Sequence, residues 1–397
     1  MDKKQETLIP VILGSGINAL GLIRSFAKKN IKSIVVDSSK SYAFFSKYCN
    51  GIIVSDPIKT PDNFILDLIN YGKTLKNKGF LIPTNDEWLF PISRNQKELE
   101  KYFVFSMSEN KVIEDCSDKT KLYEFAKKFD IPHPKTFFLN TTDQINDIKK
   151  EIPYPCILKP TITVGYVEKL KTKGRVFRLE NEKELDEIVE KIKKARLNTI
   201  PHVLQEYIIG GVENLYTITT YSNKSNDIIA YSTGHKIRQN PPDAGTIISG
   251  KVTQEPVLFD LAQRLIKNIN FYGIANTEFK KDDKDGRFKL IEINPRPGKW
   301  NYSVTASGIN MPYIALKEAE GEAQKPISPS KQSLIWIVFI EDFLFSLFLF
   351  KKRGYKEFSI SFKQWRKSIK GKKIFPIFDI KDLGPFIFYL KDLAKSV

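Results

Sequence analysis

The segment Lys289-Leu290-Ile291-Glu292-Ile293-Asn294-Pro295-Arg296-Pro297-Gly298 leaves the backbone few options. Apolar and polar positions alternate, which is the period of a strand. Ile291 and Ile293 fall on one face, and Glu292, Asn294 and Arg296 fall together on the other. A carboxylate and an amide oxygen are hard ligands that suit Mg²⁺, and an arginine beside them suits phosphate. Upstream, Asn276-Thr277-Glu278-Phe279 is a second strand-like run with its own carboxylate. The polar stretch Lys281 to Gly286 joins the two as a hairpin whose inward acids suit a metal held against a polyphosphate. Taken alone, the same letters also fit a solvated strand end.

With 397 residues, 41% of them hydrophobic, the chain is too long for one ordinary core, and two or three packed domains are expected. The net charge of +17 favours anionic partners: nucleotides, acidic or phosphorylated substrates, or an anionic membrane surface. No motif of the usual nucleic-acid readers is present, so nucleic acid is not an expected partner. Cys49, Cys116 and Cys156 are few and scattered, which gives neither a disulfide framework nor a zinc spacing and suits a reducing cytoplasm. The charged start lacks the pattern of a signal peptide. Leu334 to Phe350 is very apolar and about as long as a minimal membrane span, but Glu341 and Asp342 sit at its centre. Each acid would cost about 2.5–3.5 kcal/mol there. A strand followed by a helix is expected, with an interfacial helix edged by Lys351-Lys352-Arg353 as the alternative.

Residues 8–13, Gly14-Ser15-Gly16, the helical pattern Ala19 to Phe26 and Ile34 to Asp37 make a strand–turn–helix–strand unit, right for a parallel sheet. The glycine spacing departs from the dinucleotide fingerprint. Two more strands are expected at 51–54 and 79–83. The second runs into Thr84-Asn85-Asp86-Glu87, which fits either a polar loop with helix caps or the ligand-facing end of a sheet strand. Asp118 is placed to cap a helix that Ile131-Pro132-His133-Pro134 stops. Tyr154 to Pro160 reads as a buried strand ending in Lys159, Glu182 to Ala195 as an amphipathic helix, and 216–221 with 228–232 as a hairpin. Lys236 and Arg238, two apart on one strand, are expected to share a face. Gln239 to Thr246 follows as a loop that closes over substrate.

These pieces, in this order over about residues 8–320, resemble the ATP-grasp superfamily. The Glu-x-Asn-Pro-Arg strand, the Asp118-Lys119 helix, the Ile131 to Thr136 stop and the Lys159 strand carry the resemblance. Gly14 to Arg24, Phe45-Ser46-Lys47-Tyr48, Lys236-x-Arg238-Gln239 and a phosphate loop rich in lysine rather than glycine point within it to the carboxylate–amine ligase group that includes D-aspartate ligase. The implied fold is α/β: a Rossmann-like parallel-sheet domain (1–115), then a linker and lid subdomain (116–202) and a catalytic subdomain (203–325) that clasp ATP. Beyond about residue 320 the resemblance thins, and 326–397 reads from its composition as a basic, aromatic appendage that packs on the catalytic part, mediates a homodimer or touches membrane.

The resemblance implies ATP with one or two Mg²⁺ (or Mn²⁺) held by Glu278, Glu292 and Asn294. Lys119, Lys159 and Lys173 would hold phosphates. Gln205, Glu206, Tyr207 and Ile208 would frame the base, with Glu213 near the ribose. Arg296, Lys236 and Arg238 would stabilise the transferring phosphoryl group. The implied chemistry is activation of a small carboxylate, such as an amino acid or peptide, as an acyl phosphate that an amine then attacks. An ATP-grasp carboxylase, another acyl-phosphate enzyme, or a non-catalytic nucleotide-binding module remains open.

Overall fold

The computed structural model describes residues 7–161, 166, 170, 176–242, 245–327 and 332–396. The first five strands are β1 (Ile9–Leu13), β2 (Ser33–Asp37), β3 (Cys49–Ile53), β4 (Gly79–Pro83) and β5 (Phe103–Phe105). They form a parallel sheet in the order β3-β2-β1-β4-β5. β1 and β4 are continuous apolar runs because helices cover both sheet faces. Ile12, Leu20, Ile23 and Phe26 fill one side, and Val11, Leu13, Phe64, Leu68 and Trp88 the other. Between β1 and the helix Ile17–Ala27, Gly14 turns at φ +90°, where a Cβ would run into Thr84 and Trp88. Only glycine fits that turn.

The chain divides into two units. One comprises Met1–Lys119, Gly211–Glu278 and Glu292–Val397; the other comprises Thr120–Gly210 and Phe279–Ile291. The second unit contains β6 (Thr136–Leu139), β7 (Cys156–Pro160), β8 (Phe177–Leu179) and β9 (His202–Glu206). They form an antiparallel sheet in the order β6-β9-β7-β8. The helix Glu182–Lys194 lays Leu185, Ile188, Val189 and Ile192 into its core. Asn181 caps it by accepting from the Glu184 N–H, and Glu182 and Glu184 lie in its first turn and Lys191, Lys193 and Lys194 in its last, which suits the helix dipole.

A third sheet has the order β14-β13-β10-β11-β12-β15-β16. Its strands are β10 (Leu215–Ser222), β11 (Ile228–Asn240), β12 (Thr246–Thr253), β13 (Gly273–Lys281), β14 (Phe288–Asn294), β15 (Leu334–Ile337) and β16 (Lys372–Ile374). The expected hairpins at 216–232 and 276–292 are both strand pairs of this sheet.

The carboxyl-terminal segment is built into the first unit. β15 pairs antiparallel with β12, and β16 pairs parallel with β15. The apolar stretch 334–350 becomes β15 and then the helix Phe339–Leu344, with Trp336, Ile337 and Asp342 fully buried. Among the described residues, no helix is long and apolar enough to cross a membrane.

Two buried ion pairs lock the segment in place. Asp342 is 0% exposed. Its carboxylate accepts from Arg238 Nε at 2.8 Å and Nη2 at 2.7 Å, from Ser249 Oγ at 2.6 Å and from Trp365 Nε1 at 2.7 Å. Arg24 donates Nε to Asp382 at 3.2 Å and its terminal nitrogens to the carbonyls of Pro376 and Ile377. Asp382 also accepts from Ser46 Oγ and the Lys47 N–H. Arg24 and the Phe45 to Tyr48 run, singled out in the sequence, thus anchor the carboxyl-terminal segment.

Candidate active site

Glu278 and Glu292 stand on the neighbouring strands β13 and β14. Each carboxylate meets a lysine: Lys236 Nζ lies 3.1 Å from Glu278, and Lys119 Nζ lies 4.0 Å from Glu292. Asn294 donates its amide to Glu292 at 3.1 Å. Arg296 donates to the Asn294 side-chain oxygen at 3.1 Å and, twice, to Asp86 at 2.7 and 3.1 Å. The period of the strand puts Glu292 and Asn294 on one face, and Arg296, in the bend past the strand end, joins their chain of contacts through Asn294. Asp86 closes its far end from the first turn of the helix Asp86–Arg94.

Burial pushes the Glu278 carboxyl above the ordinary carboxylate range. The charge of Glu292 pushes it further, while Lys236 and Lys119 pull the other way. A buried acid that resists ionising beside a second carboxylate is a place where an added cation is favourable. Among the described residues no group of three or more His, Cys, Asp and Glu side chains converges on a metal position. The donor set is therefore two carboxylates and an amide. It fits Mg²⁺, which is commonly held by one or two carboxylates plus substrate phosphates and water.

Lys236 and Arg238 have different surroundings. The register between β11 and β12 shifts between Lys236 and Arg238, and again before Gln239. Such bulges re-aim side chains. Lys236 turns to Glu278, whereas Arg238 is committed to Asp342 and Ser368. The shared face expected from spacing two does not form, and Arg238 is a buried structural cation rather than a group presented to a phosphoryl.

In the second unit, Gln205 and Glu206 depart from their expected roles as side chains. Gln205 donates to Tyr123 Oη and Thr136 Oγ1 within the core. Glu206 holds Lys289 Nζ at 2.7 Å and accepts from the Lys135 N–H. Lys289 also binds Asp282 at 2.7 Å. Tyr207 lies under the guanidinium of Arg178 at 4.3 Å and the ammonium of Lys280 at 4.9 Å, and Ile208 is buried. Lys159 sits near the end of β7, opposite Val203. In the first unit, Glu213 is exposed, and its carbonyl meets the His235 ring at 3.1 Å. Lys173, with Gly165, Lys169, Lys171, Gly174 and Arg175 of the expected phosphate loop, lies outside the described residues, as do Asp243 and Ala244 of the loop after Gln239.

A cavity of about 730 Å³ opens at the carboxyl ends of the parallel strands in the first unit, where the strand order reverses around β1. Gly14-Ser15-Gly16, Asp37 to Ser39, Asp56 and the 84–88 turn line it, together with Arg296, Lys299 and Glu341. At Thr84 to Glu87, Asn85 caps its helix by accepting from the Trp88 N–H, and Glu87 lines the cavity. Lys299 and Glu341 carry no motif. Their place is set by the fold around residues distant in the chain, so spacing gave no sign of them.

A family model described as "ATP-grasp in the biosynthetic pathway with Ter operon" matches residues 227–341. The D-aspartate ligase of Enterococcus faecium (strain Aus0004) is 27% identical over 78% of this chain and 76% of its own length. The chain has the ATP-grasp fold. Its relatives are ligases and synthases. The N-terminal section of the carbamoyl phosphate synthase large chain of Methanopyrus kandleri is 26% identical over 56% of this ATP-grasp chain and 39% of that protein. The L-amino acid ligase from Bacillus licheniformis superposes with a TM-score of 0.58 at 16% identity, over 80% of this chain and 75% of that one. An ADP complex of N5-carboxyaminoimidazole ribonucleotide synthetase superposes with a TM-score of 0.61 at 15% identity, over 82% and 80%. The ATP-grasp fold accounts for the α/β architecture expected from the sequence.

Proposed function

We propose that this ATP-grasp chain is a carboxylate–amine ligase that forms an amide or peptide bond through an acyl phosphate. The observation that carries the reading is the row Lys236–Glu278, Lys119–Glu292, Asn294, Arg296 on adjacent strands. Two anions must meet in line, a triphosphate and a carboxylate, so charge neutralisation is the main catalytic task. Glu278, Glu292 and Asn294 would hold the divalent cation, Mg²⁺ or Mn²⁺. When bound, it supplies positive charge to the phosphate oxygens.

The chain's own groups do the rest. Lys119 and Lys236 balance the two acids in the absence of nucleotide and are placed to contact phosphate oxygens when the acids turn to metal. Arg296, oriented by Asp86 and Asn294, holds the carboxylate substrate. Lys159 and the backbone of 206–208 in the second unit serve the nucleotide. A substrate carboxylate oxygen attacks the terminal phosphorus, the bond to the bridging oxygen breaks, and ADP leaves. The amine then attacks the acyl carbon, the C–O bond to phosphate breaks, and the amine loses a proton as phosphate departs. No covalent enzyme nucleophile is required.

The test is ADP release in the presence of ATP and Mg²⁺ across amino acids, short peptides and cell-wall precursors. Amine-dependent release is the expected result, lost by at least ~100-fold in Glu292→Ala with an unchanged circular dichroism spectrum. Bicarbonate-dependent release without an amine would instead identify a carboxylase. Tight ATP binding with no release in any pool would leave a binding module.

A further inference from the structure

The carboxyl-terminal segment has an inner side and an outer one. The inner side is tied to the first unit by the Arg238–Asp342 and Arg24–Asp382 pairs. The outer side carries much of the chain's charge. Residues 351–373 hold ten Lys and Arg against one acid, Glu357, a net of +9 out of the chain's +17. Nine of these ten cations are exposed, and among the described residues none of the nine forms a salt bridge. A cluster of one sign without counter-charges raises the local potential and draws anions.

Phenylalanines are set among these cations. The helix that begins at Phe339 widens into a π turn over Phe345–Leu349 and carries Phe348, which is 57% exposed. Lys351 and Lys352 follow it at the spacing of one helical face. The helix Phe362–Ser368 starts with Phe362, 53% exposed, and sets Arg366 one turn beyond it. Rings join the two helices. The centroids of Phe348 and Phe343 are 6.1 Å apart, those of Phe343 and Trp365 5.1 Å, and those of Trp365 and Phe362 5.8 Å. Phe339, also exposed, meets the same Trp365 at 5.5 Å. The exposed phenylalanines are thus the outer members of one aromatic layer. Trp365 holds that layer in place by donating Nε1 to the buried Asp342 at 2.7 Å. Contiguous apolar surface of this kind, rimmed by charge, marks an interaction site.

The rings and the charges together select the partner. A polyanion in solution meets the cations and leaves the phenylalanines in water. A second copy of the chain brings +9 against +9. An anionic bilayer satisfies both components: its headgroups meet the cations, and the rings enter the boundary between headgroups and acyl chains. We propose that the face formed by Phe339, Phe348, Phe362 and the cations around them docks this chain on an anionic phospholipid membrane. The contact is peripheral, since among the described residues no helix is long and apolar enough to cross a bilayer. Docking goes beyond the ligase reading and does not depend on it: the face shares no residue with the row of Lys236, Glu278, Lys119, Glu292, Asn294 and Arg296.

The experiment is co-sedimentation of the full chain with vesicles of phosphatidylcholine alone, or with about 30% phosphatidylglycerol, at about 0.1 M salt. The anionic vesicles should bind at least ~10-fold more tightly than the neutral ones, and about 0.5 M salt should weaken that binding. Phe348→Ser/Phe362→Ser should weaken it about tenfold with the charge unchanged. Lys351→Gln/Lys352→Gln/Arg366→Gln/Lys367→Gln should weaken it by about 100-fold, at roughly fivefold per charge. Four exposed lysines outside the segment serve as the control, and Lys76→Gln/Lys97→Gln/Lys101→Gln/Lys224→Gln should cost less than about threefold. No pelleting with either vesicle, equal binding to both, binding unchanged in the phenylalanine pair, or the same loss from the control set overturns the proposal. Two further measurements test the other occupants: anisotropy of a labelled single-stranded RNA, and sedimentation velocity of the chain alone. RNA bound more tightly than the anionic vesicles, or a dimer that the phenylalanine pair dissolves, assigns the face elsewhere and equally overturns it. Thermal melts of each variant identify a folding defect. The cation variant replaces only exposed side chains, so it decides the question if the phenylalanine pair melts early.

Discussion

Replacing Asp342 by alanine isolates the contact that joins the carboxyl-terminal segment to the catalytic sheet. The wild-type carboxylate is fully buried and takes four donors, two of them from Arg238. Its removal leaves a buried guanidinium without a counter-charge and two further donors, on Ser249 and Trp365, without an acceptor. Breaking one partner of a buried pair costs about 3–5 kcal/mol. At a urea slope of about 3 kcal/mol per M this moves the unfolding midpoint down by about 1–1.7 M. All four tryptophans, Trp88, Trp300, Trp336 and Trp365, belong to the first unit, so their fluorescence follows that unit in a urea titration. The double variant Arg238→Met/Asp342→Leu removes both charges and should recover most of the loss, because apolar replacements of a buried pair are often neutral. It should also retain ADP release, since Arg238 is assigned no contact with substrate. A loss under about 1 kcal/mol in Asp342→Ala, or a double variant no more stable than the single one, would refute the ion-pair argument. A stable but inactive double variant would return Arg238 to the catalytic row.

In the second unit, burial alone would raise the Asp282 carboxyl, but the ammonium of Lys289 and the N–H of Lys284 outweigh it and the net shift is downward. A depressed folded pKa gives stability that is present above the ordinary aspartate value, near ~3.9, and is lost as pH falls through the folded value. Asp282→Asn should therefore destabilise the chain at pH 7 and flatten the acid limb of a pH–stability curve; a limb identical to wild type would contradict this. The three cysteines are buried and free. Burial pushes Cys49 and Cys156 up to about 12 and raises Cys116 as well. Because the thiolate is the reactive form, iodoacetamide at pH 8 should label none of them in the native chain and all three in urea, as read by intact-mass spectrometry.

The acid-bearing hairpin was legible because a strand has a strict period of two, which puts Glu292 and Asn294 on one face; Arg296 lies past the strand end and joins them through its hydrogen bond to Asn294. The same rule failed at Lys236 and Arg238, because a register shift interrupts the period and no residue type announces it. Gln205 and Glu206 were misjudged for another reason. Alternation along β9 sorts side chains between two faces, but what meets them, Tyr123, Thr136 and Lys289, is decided by other elements. The apolar stretch 334–350 was legible as a strand and a helix from the two acids at its centre. Their partners were not: Arg238 lies 104 positions from Asp342, and Arg24 lies 358 from Asp382. Long-range ion pairs leave no local trace, and here they bind a segment that local composition marks as an appendage.

The pairing of β12 with β15 has a consequence for how the polypeptide is made. Until residues 334–337 leave the ribosome, β12 is a bare rim, open to strand addition by any other extended peptide. Closing contacts this far apart is slow, so the nascent chain carries an adhesive margin until β15 has emerged and paired. Expression at low temperature, or with a holdase present, should raise the yield of native protein more than any change to its amino terminus.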